Sequence, residues 1–160
     1  MDAPSIIECV RLRPGLEPAL ARFLDDLAAA GDAVFFHPHG GDVGTLRAIA
    51  EHPGKDVYLL FLGEDGVLAY GLLRGWNEGY AIPSLGIAVH PRARAGGLGR
   101  LMMEYLETTA RRRDASAVRL RVHKDNEHAV AMYQRRGYIM QPDEIETHLL
   151  VGVKPMVSAT

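Results

Sequence analysis

The sequence predicts an α/β fold of the mixed α+β kind, with strands and helices around one core. A strand-like alternation over 85–89 leads into a glycine-rich turn and then into the three- and four-residue spacing of a helix. A second strand, helix and strand follow over 117–141. With 160 residues, 48% hydrophobic and 24% charged, the chain can bury one core and is too short for two. We therefore expect 1–160 to form a single domain.

Turn residues divide the first half of the chain into its predicted elements. Gly31 ends the first predicted helix, and Pro53 with Gly54 ends the second. The tetrad at 63–66 is typical of a hairpin turn between two strands. The expected elements are a strand at 6–11, helices at 15–29 and 43–51, and strands at 57–62, 67–74 and 85–89.

The helix after the glycine-rich turn should bury one face, because its apolar residues recur at three- and four-residue steps. That face is predicted to consist of Leu98, Leu101, Met102, Tyr105, Leu106 and Thr109. The three arginines at 111–113 suit the carbonyl end of this helix. A strand at 117–122, a helix that ends at Gly137, and strands near 138–141 and 148–153 complete the prediction.

The glycine-rich turn itself predicts an anion site. Gly96, Gly97 and Gly99 let backbone N–H groups approach a ligand closely, and the following helix directs its free N–H groups to the same place. A nucleoside-triphosphate P-loop requires Lys and Ser or Thr after the last glycine, where this chain has Arg100 and leucine. A dinucleotide fingerprint requires a third glycine where Met102 stands. Spacing therefore disfavours both of these phosphate sites.

Two motifs resemble those of the GNAT N-acetyltransferase superfamily. The first resembles its acyl-coenzyme A signature, carried here by Val89, Pro91, Arg94, Gly97 and Gly99. The second resembles the segment that lies across the cofactor, carried by Asn126, Ala129, Tyr133, Gly137 and Tyr138. The spacing of Asn126 and Tyr133, about two helical turns, places both on one side of their helix. The two motifs occur in the expected order and cover the C-terminal half of the chain.

The resemblance implies a mixed, mostly antiparallel sheet of six to seven strands with helices on both faces. It also implies a V-shaped splay between two parallel central strands, at 85–89 and 117–122, that admits the pantetheine arm of acetyl-CoA. The first of these strands would bond the pantetheine amides, and the glycine-rich turn would hold the pyrophosphate. The predicted coenzyme contacts are Ile87, Ala88, Val89, Arg94, Ala95, Gly96, Gly97, Leu98, Gly99, Arg100, Asn126 and Tyr133.

Ala95 stands where the family often has glycine or a longer polar residue. An alanine with negative φ still offers its N–H, whereas positive φ is strained for any residue that has a Cβ. We therefore expect any positive-φ positions of the turn at Gly96, Gly97 or Gly99, and not at Ala95.

The implied enzyme is an acyltransferase that moves an acetyl group to a primary amine by direct attack. The amine must lose a proton before or during the attack, and the thiolate must be stabilised or protonated as it leaves. The resemblance places the general acid at Tyr133, although its ring could instead serve only as core packing. Glu78 and Ser84 are candidate bases near the central strand, and neither is compelling on sequence grounds.

The acceptor is expected to lie outside the two motifs. Imidazole, aromatic and acidic side chains suit a polar, ring-bearing amine such as an amino sugar or its nucleotide conjugate. Two histidines without a nearby cysteine or carboxylate pair make a poor metal site, so no metal is predicted. Trp76 and Tyr80 could equally anchor the hairpin. The candidate acceptor contacts are His37, His39, Trp76, Glu78, Tyr80, Ser84 and His123.

Two other functions stay open at this point. One is a protein N-terminal or lysine acetyltransferase, which would need an open groove, and the bulky segment at 76–80 argues mildly against that. The other is a non-catalytic coenzyme A-binding regulatory module, which would have no need of the phenol at Tyr133.

Charge and cysteine content bound the partners. A net charge of −2 predicts no strong attraction to nucleic acid or to acidic membranes, so the arginines at 111–113 indicate a solvated helix end. The single cysteine, Cys9, excludes an internal disulfide, fits a reducing compartment, and is predicted to pack in the first strand. We expect a cytoplasmic protein, either a monomer or a small oligomer such as a homodimer, whose partner is a small-molecule amine.

Overall fold

The computed structural model describes residues 6–157, in which seven strands form one sheet. The strands are β1 (Glu8–Arg11), β2 (Val57–Gly63), β3 (Gly66–Arg74), β4 (Ser84–Val89), β5 (Ala117–His123), β6 (Ile139–Pro142) and β7 (Leu149–Pro155). Their order is β1-β2-β3-β4-β5-β7-β6, and every neighbouring pair is antiparallel except β4 with β5. The predicted mixed, mostly antiparallel sheet is confirmed.

Helices cover both faces of this sheet. The described part of the chain contains four α-helices: α1 (Glu17–Ala29), α2 (Val43–Glu51), α3 (Leu98–Arg112) and α4 (Glu127–Arg135). On the α1/α2 face, Phe23 and Leu46 belong to one apolar cluster with Tyr70. On the α3/α4 face, Met102 and Tyr133 belong to a second cluster. No helix within residues 6–157 is both long and apolar enough to cross a membrane.

Strands β4 and β5 diverge along their length. Ser84 lies opposite Arg119, and this is the one register pair that joins the two strands within the described residues. On its other side, β4 pairs with β3 over all six of its residues, from Ser84 to Val89. The part of β4 that leads to the glycine-rich turn therefore has a strand on one side and a gap on the other. This gap is where the resemblance places the pantetheine arm.

The predicted elements all occur, with small shifts at their ends. Helix α1 begins at Glu17 instead of 15, because Gly15 has a φ of +103° and Pro18 occupies the first turn. Strand β1 begins at Glu8 instead of 6. Helix α2 has its predicted bounds, and the Asp42 side chain accepts a hydrogen bond from the Thr45 N–H at its start.

The predicted buried face of α3 is wrong in part. Leu101 and Tyr105 are 51% and 46% exposed, whereas Met102 and Leu106 are fully buried. The buried face is centred on Met102, because α3 lies so close to the sheet that a Cβ on Gly71 would be 2.5 Å from the Met102 sulfur. The sequence spacing fitted two neighbouring helical stripes, and only one of them contacts the sheet. The remaining buried residues of α3 are Leu98, Met103, Glu107 and Ala110.

The predicted packing role of Cys9 is also wrong. Cys9 is exposed, because β1 is an edge strand whose residues are exposed or half-buried.

Candidate functional site

The glycine-rich turn joins the end of β4 to the start of α3. A single 3₁₀ turn at Pro91–Ala93 comes first, and α3 begins at Leu98. Ala95 has a φ of 64° and Gly97 a φ of 85°, so the expectation that Ala95 would avoid the left-handed region is wrong. The turn needs left-handed backbone at these two positions to reverse into the helix. Alternating conformations of this kind direct successive N–H groups to one side, as in other anion-binding turns.

The strain at Ala95 predicts a measurable gain from glycine. A left-handed alanine costs about 1–2 kcal/mol, and glycine loses about 0.5–1 kcal/mol more conformational entropy on folding. Ala95→Gly is therefore expected to raise the free energy of unfolding by up to about 1.5 kcal/mol, measured by urea denaturation. Ala30→Gly is the matched control, because Ala30 has a φ of −85° and should be destabilised by the same change. A loss of stability in Ala95→Gly would contradict this account.

The N-terminus of α3 is left uncapped by side chains. Gly97 is the N-cap residue and makes no side-chain hydrogen bond, and no acidic residue lies in the first turn. The first N–H groups of α3 are thus available to an anion, which the positive end of the helix dipole also favours. Helix α4 lies beside this turn, since a Cβ on Gly99 would be 3.9 Å from the Met132 sulfur.

Two interactions attach the glycine-rich turn to the α1/α2 side. The His90 Nδ1 accepts a hydrogen bond from the Arg92 N–H, so Nε2 carries the proton and donates to Asp26 of α1 at 2.7 Å. The Arg94 guanidinium donates to the Asp32 carboxylate at 2.6 Å. Arg94, a predicted pyrophosphate contact, is therefore ion-paired in this structure. Arg100, the other predicted cation, is exposed.

Tyr133 lies on α4 within the core of the α3/α4 face. Its residue exposure is 7%, and its ring packs edge to face on Tyr138 at 5.9 Å between centroids. Burial raises the pKa of Tyr133 to about 12. The Tyr133 hydroxyl makes no hydrogen bond with any group in residues 6–157. At the start of the same helix, the Asn126 side chain accepts a hydrogen bond from the Ala129 N–H. Tyr133 is thus a protonated phenol whose O–H is uncommitted.

The predicted acceptor residues fall into separate places. The His39 Nδ1–H donates to the Gly40 carbonyl at 2.8 Å, and its Nε2 accepts from the buried Tyr70 hydroxyl at 2.8 Å. Burial lowers the pKa of His39, and the nearby charge of Arg74 acts in the same direction. His39 therefore stays neutral and joins the loop after α1 to β3. His37, two residues earlier, is exposed.

Trp76 lies apart from His37 and His39. It packs against the core of the α3/α4 face, and the Arg113 guanidinium lies 4.5 Å from the centroid of its ring. Arg113 also donates a short hydrogen bond to the Lys55 carbonyl. These contacts fit the hairpin-anchor interpretation that the sequence left open. Glu78 and Tyr80 are exposed beside it, on the turn between β3 and β4.

A third group forms where the loop after α1 reaches the end of β5. The Phe35 ring packs edge to face on His123 at 5.4 Å, and His123 lies 5.4 Å from the His148 ring. The Glu146 carboxylate is 3.4 Å from His148. Of the predicted acceptor residues, only His123 belongs to this group. His148 was not among the predicted residues, because nothing in the sequence around the start of β7 indicates that it lies beside His123.

Comparison with known proteins gives one family and one fold. Residues 21–138 match the model of the acetyltransferase (GNAT) family. Two curated relatives are named mycothiol acetyltransferase. The one from Streptomyces bingchenggensis is 34% identical over 119 residues, and the one from Streptomyces scabiei is 28% identical over 123. These alignments cover 70% and 71% of this chain but 38% of each relative. The chain thus spans well under half the length of these relatives.

Solved structures of low identity share the fold. A GNAT-family acetyltransferase from Streptococcus pneumoniae aligns with a TM-score of 0.77 at 17% identity, over 94% of this chain and 100% of that one. The PaiA N-acetyltransferase from Thermoplasma acidophilum, in complex with coenzyme A, gives 0.77 at 12% identity, over 94% and 99%. The ribosomal-protein-S18-alanine N-acetyltransferase from Escherichia coli gives 0.71 at 18% identity, over 97% of both chains.

Proposed function

From the premise that the chain belongs to the acetyltransferase (GNAT) family, we propose that it transfers an acetyl group from acetyl-CoA to the primary amine of a small polar metabolite. The observation that carries the proposal is the uncapped N-terminus of α3, which lies at the open end of the gap between β4 and β5. An anion cradle followed by an extended gap suits a donor with a pyrophosphate and a long amide-bearing arm. The coenzyme A complex of a protein with the same fold supports this choice of donor.

The residues proposed to hold the donor are those that the family resemblance implies, and the geometry of the turn suits this role. The N–H groups from Ala95 to Arg100 would bind the pyrophosphate, and the β5-facing backbone of Ile87 to Val89 would bond the pantetheine amides. In this arrangement the Arg94 guanidinium would bind a phosphate oxygen in place of the Asp32 carboxylate, or would bind both. The two anions compete for the same guanidinium. When bound, acetyl-CoA supplies the acetyl group as an activated thioester.

Tyr133 is the proposed proton donor. As the neutral amine attacks the carbonyl, a C–N bond forms, the C–S bond breaks and negative charge develops on sulfur. A phenol with a pKa of about 12 keeps its proton at neutral pH and can give a hydrogen bond, or the proton itself, to the departing sulfur. The amine must also lose a proton. Glu78 and Ser84 are our candidates to accept it, directly or through a water.

The proposed acceptor class is an amino sugar or a nucleotide-linked amine. The names of the two curated relatives support acetylation of a small molecule. A peptide N-terminus is the second candidate, because the E. coli enzyme that acetylates the alanine of ribosomal protein S18 has the same fold.

One acceptor screen separates these functions. Purified protein is given acetyl-CoA with amino sugars, nucleotide-linked amino sugars, polyamines, amino acids and peptides with a free N-terminus, and release of free thiol is measured. We expect turnover with the sugar-based amines. Turnover confined to peptides would identify a protein acetyltransferase. Coenzyme A binding without turnover of any amine would favour the regulatory module.

A further inference from the structure

Three polar side chains lie side by side across the central strands. Arg74 of β3 is opposite Ser84 of β4, and Ser84 is opposite Arg119 of β5. Residues paired in this way direct their side chains to the same face, and neighbouring strands of a sheet lie about 4.7–4.9 Å apart. Ser84 is therefore flanked on both sides by a guanidinium-bearing side chain.

This row lies on the α1/α2 face. The alternate residues of the same strands, such as Leu73, Leu85 and Val118, are buried in the core of the α3/α4 face. The Arg74 guanidinium donates to the Pro38 carbonyl at 2.5 Å, in the loop after α1 that also carries Phe35 and His39. The row and the candidate acceptor residues of that loop thus share one side of the sheet.

The two arginines of the row lack a negative partner. Four arginines within residues 6–157 are half-buried, and two of them, Arg111 and Arg136, are ion-paired with glutamates. Neither Arg74 nor Arg119 has a carboxylate within 4.0 Å in the described part of the chain.

Asp143, the acidic side chain on which the charge of Arg119 acts, is already bound to other groups. The pKa of Asp143 is lowered mainly by hydrogen bonds from the backbone N–H groups of Glu146 and Ile145. The charge of Arg119 contributes a smaller part of this lowering. The Asp143 carboxylate is 3.3 Å from the Arg121 guanidinium and accepts both of those N–H groups. Arg119 itself makes no side-chain hydrogen bond among the described residues. Two half-buried guanidinium groups without a counterion, beside a hydroxyl donor, form a site that favours an anion.

We propose that Arg74, Ser84 and Arg119 bind an anionic group, a phosphate or a carboxylate, on the acceptor amine. This inference rests on the proposed acetyl transfer. If the acetyl group lies beside Gly86 or Ile87, where β4 and β5 have separated, it is about 7–10 Å along β4 from Ser84. The acceptor would therefore carry its anion well away from the amine. An α-amino acid, whose carboxylate is adjacent to the amine, does not span this distance. Ser84 would then act as a donor, which leaves Glu78 or a water to take the proton of the amine.

The test compares paired acceptors that differ only in the anion. The pairs are glucosamine with glucosamine 6-phosphate, and 4-aminobutyramide with 4-aminobutyrate, and glycine serves as the α-amino acid. We expect kcat/KM to be at least about tenfold higher for the anionic member of one pair, which also distinguishes phosphate from carboxylate. Arg119→Gln should raise KM for that acceptor about 10- to 100-fold, while KM for acetyl-CoA and for the neutral member is unchanged. Arg119→Lys should recover part of the loss, because it restores the charge.

Arg112→Gln is the matched control, since Arg112 is an exposed arginine at the end of α3 on the other face. It should leave KM for both members unchanged. An unchanged KM for the anionic acceptor in a folded Arg119→Gln protein would overturn the proposal, as would equal kcat/KM within both pairs. If no amine is acetylated, the proposed function fails, and calorimetry of glucosamine 6-phosphate and 4-aminobutyrate with the wild-type protein decides the subsite separately. Binding that Arg119→Gln abolishes would support it, and no binding to wild type would overturn it.

Discussion

Replacing Tyr133 with phenylalanine is expected to lower kcat for acetyl transfer by about 10²- to 10⁴-fold, the range that a positioned general acid contributes. The ring stays in its core position, so the affinity for coenzyme A and the thermal stability should change little. Thermal stability should change little because the Tyr133 hydroxyl makes no hydrogen bond within residues 6–157, so its removal breaks none. The measurement is steady-state release of free thiol, together with calorimetric titration of coenzyme A.

Tyr105→Phe is the matched control for this substitution. Tyr105 lies on α3, is 46% exposed, and loses the same phenolic oxygen. Its kcat should equal that of the wild-type protein. Because burial raises the pKa of Tyr133 to about 12, loss of this proton should not reduce the wild-type rate within the ordinary range of tyrosine titration near pH 10. A Tyr133→Phe protein with unchanged kcat would remove Tyr133 from the mechanism.

Replacing Glu107 with glutamine is expected to cost about 3–5 kcal/mol of folding free energy, the usual cost of removing one member of a buried ion pair. Glu107 is 1% exposed and receives hydrogen bonds from Arg136 at 2.7 Å, Tyr138 at 2.9 Å and Lys154 at 3.0 Å. These donors come from the end of α4, the start of β6 and β7, so one carboxylate joins α3 to the elements that hold Tyr133. The measurement is urea denaturation followed by circular dichroism.

Glu104→Gln provides the control for Glu107. The Glu104 side chain is 60% exposed and also lies 2.8 Å from Arg136, yet exposed pairs contribute only about 0–1 kcal/mol. A loss of similar size in both variants would show that burial is not the cause.

The stabilisation by Glu107 should also depend on pH. Burial tends to raise the pKa of Glu107, but hydrogen bonds from Arg136, Lys154 and Tyr138 outweigh it and hold the pKa below that of an ordinary glutamate. A carboxyl group whose pKa is lower in the folded state contributes its full stabilisation above the unfolded pKa and loses it as the pH falls through the folded value. The difference in stability between wild type and Glu107→Gln should therefore shrink as the pH is lowered below about 4.5. A difference that grows with acid would contradict this sign.

The sequence was sufficient where the information is local. The spacing around the glycine-rich turn and from Asn126 to Gly137 predicted α3, α4 and their place after a strand, because helices and turns are set by residues within a few positions of one another. The family resemblance then implied the sheet, including the gap between β4 and β5, which no local pattern indicates.

Tertiary structure alone decided which charged and aromatic side chains meet. Arg94 pairs with Asp32, 62 residues earlier, and Phe35 contacts His123 at the end of β5. Ala95 adopts a left-handed backbone that its own residue type disfavours, because the turn between β4 and α3 imposes it. Arg74 and Arg119 became neighbours of Ser84 only through the order of β3, β4 and β5. Residue spacing along a chain determines periodicity, whereas partners far apart in sequence are determined by sheet order and register. The proposed donor site can therefore be predicted from the sequence of this protein, whereas the proposed acceptor subsite can be recognised only when the sheet is assembled.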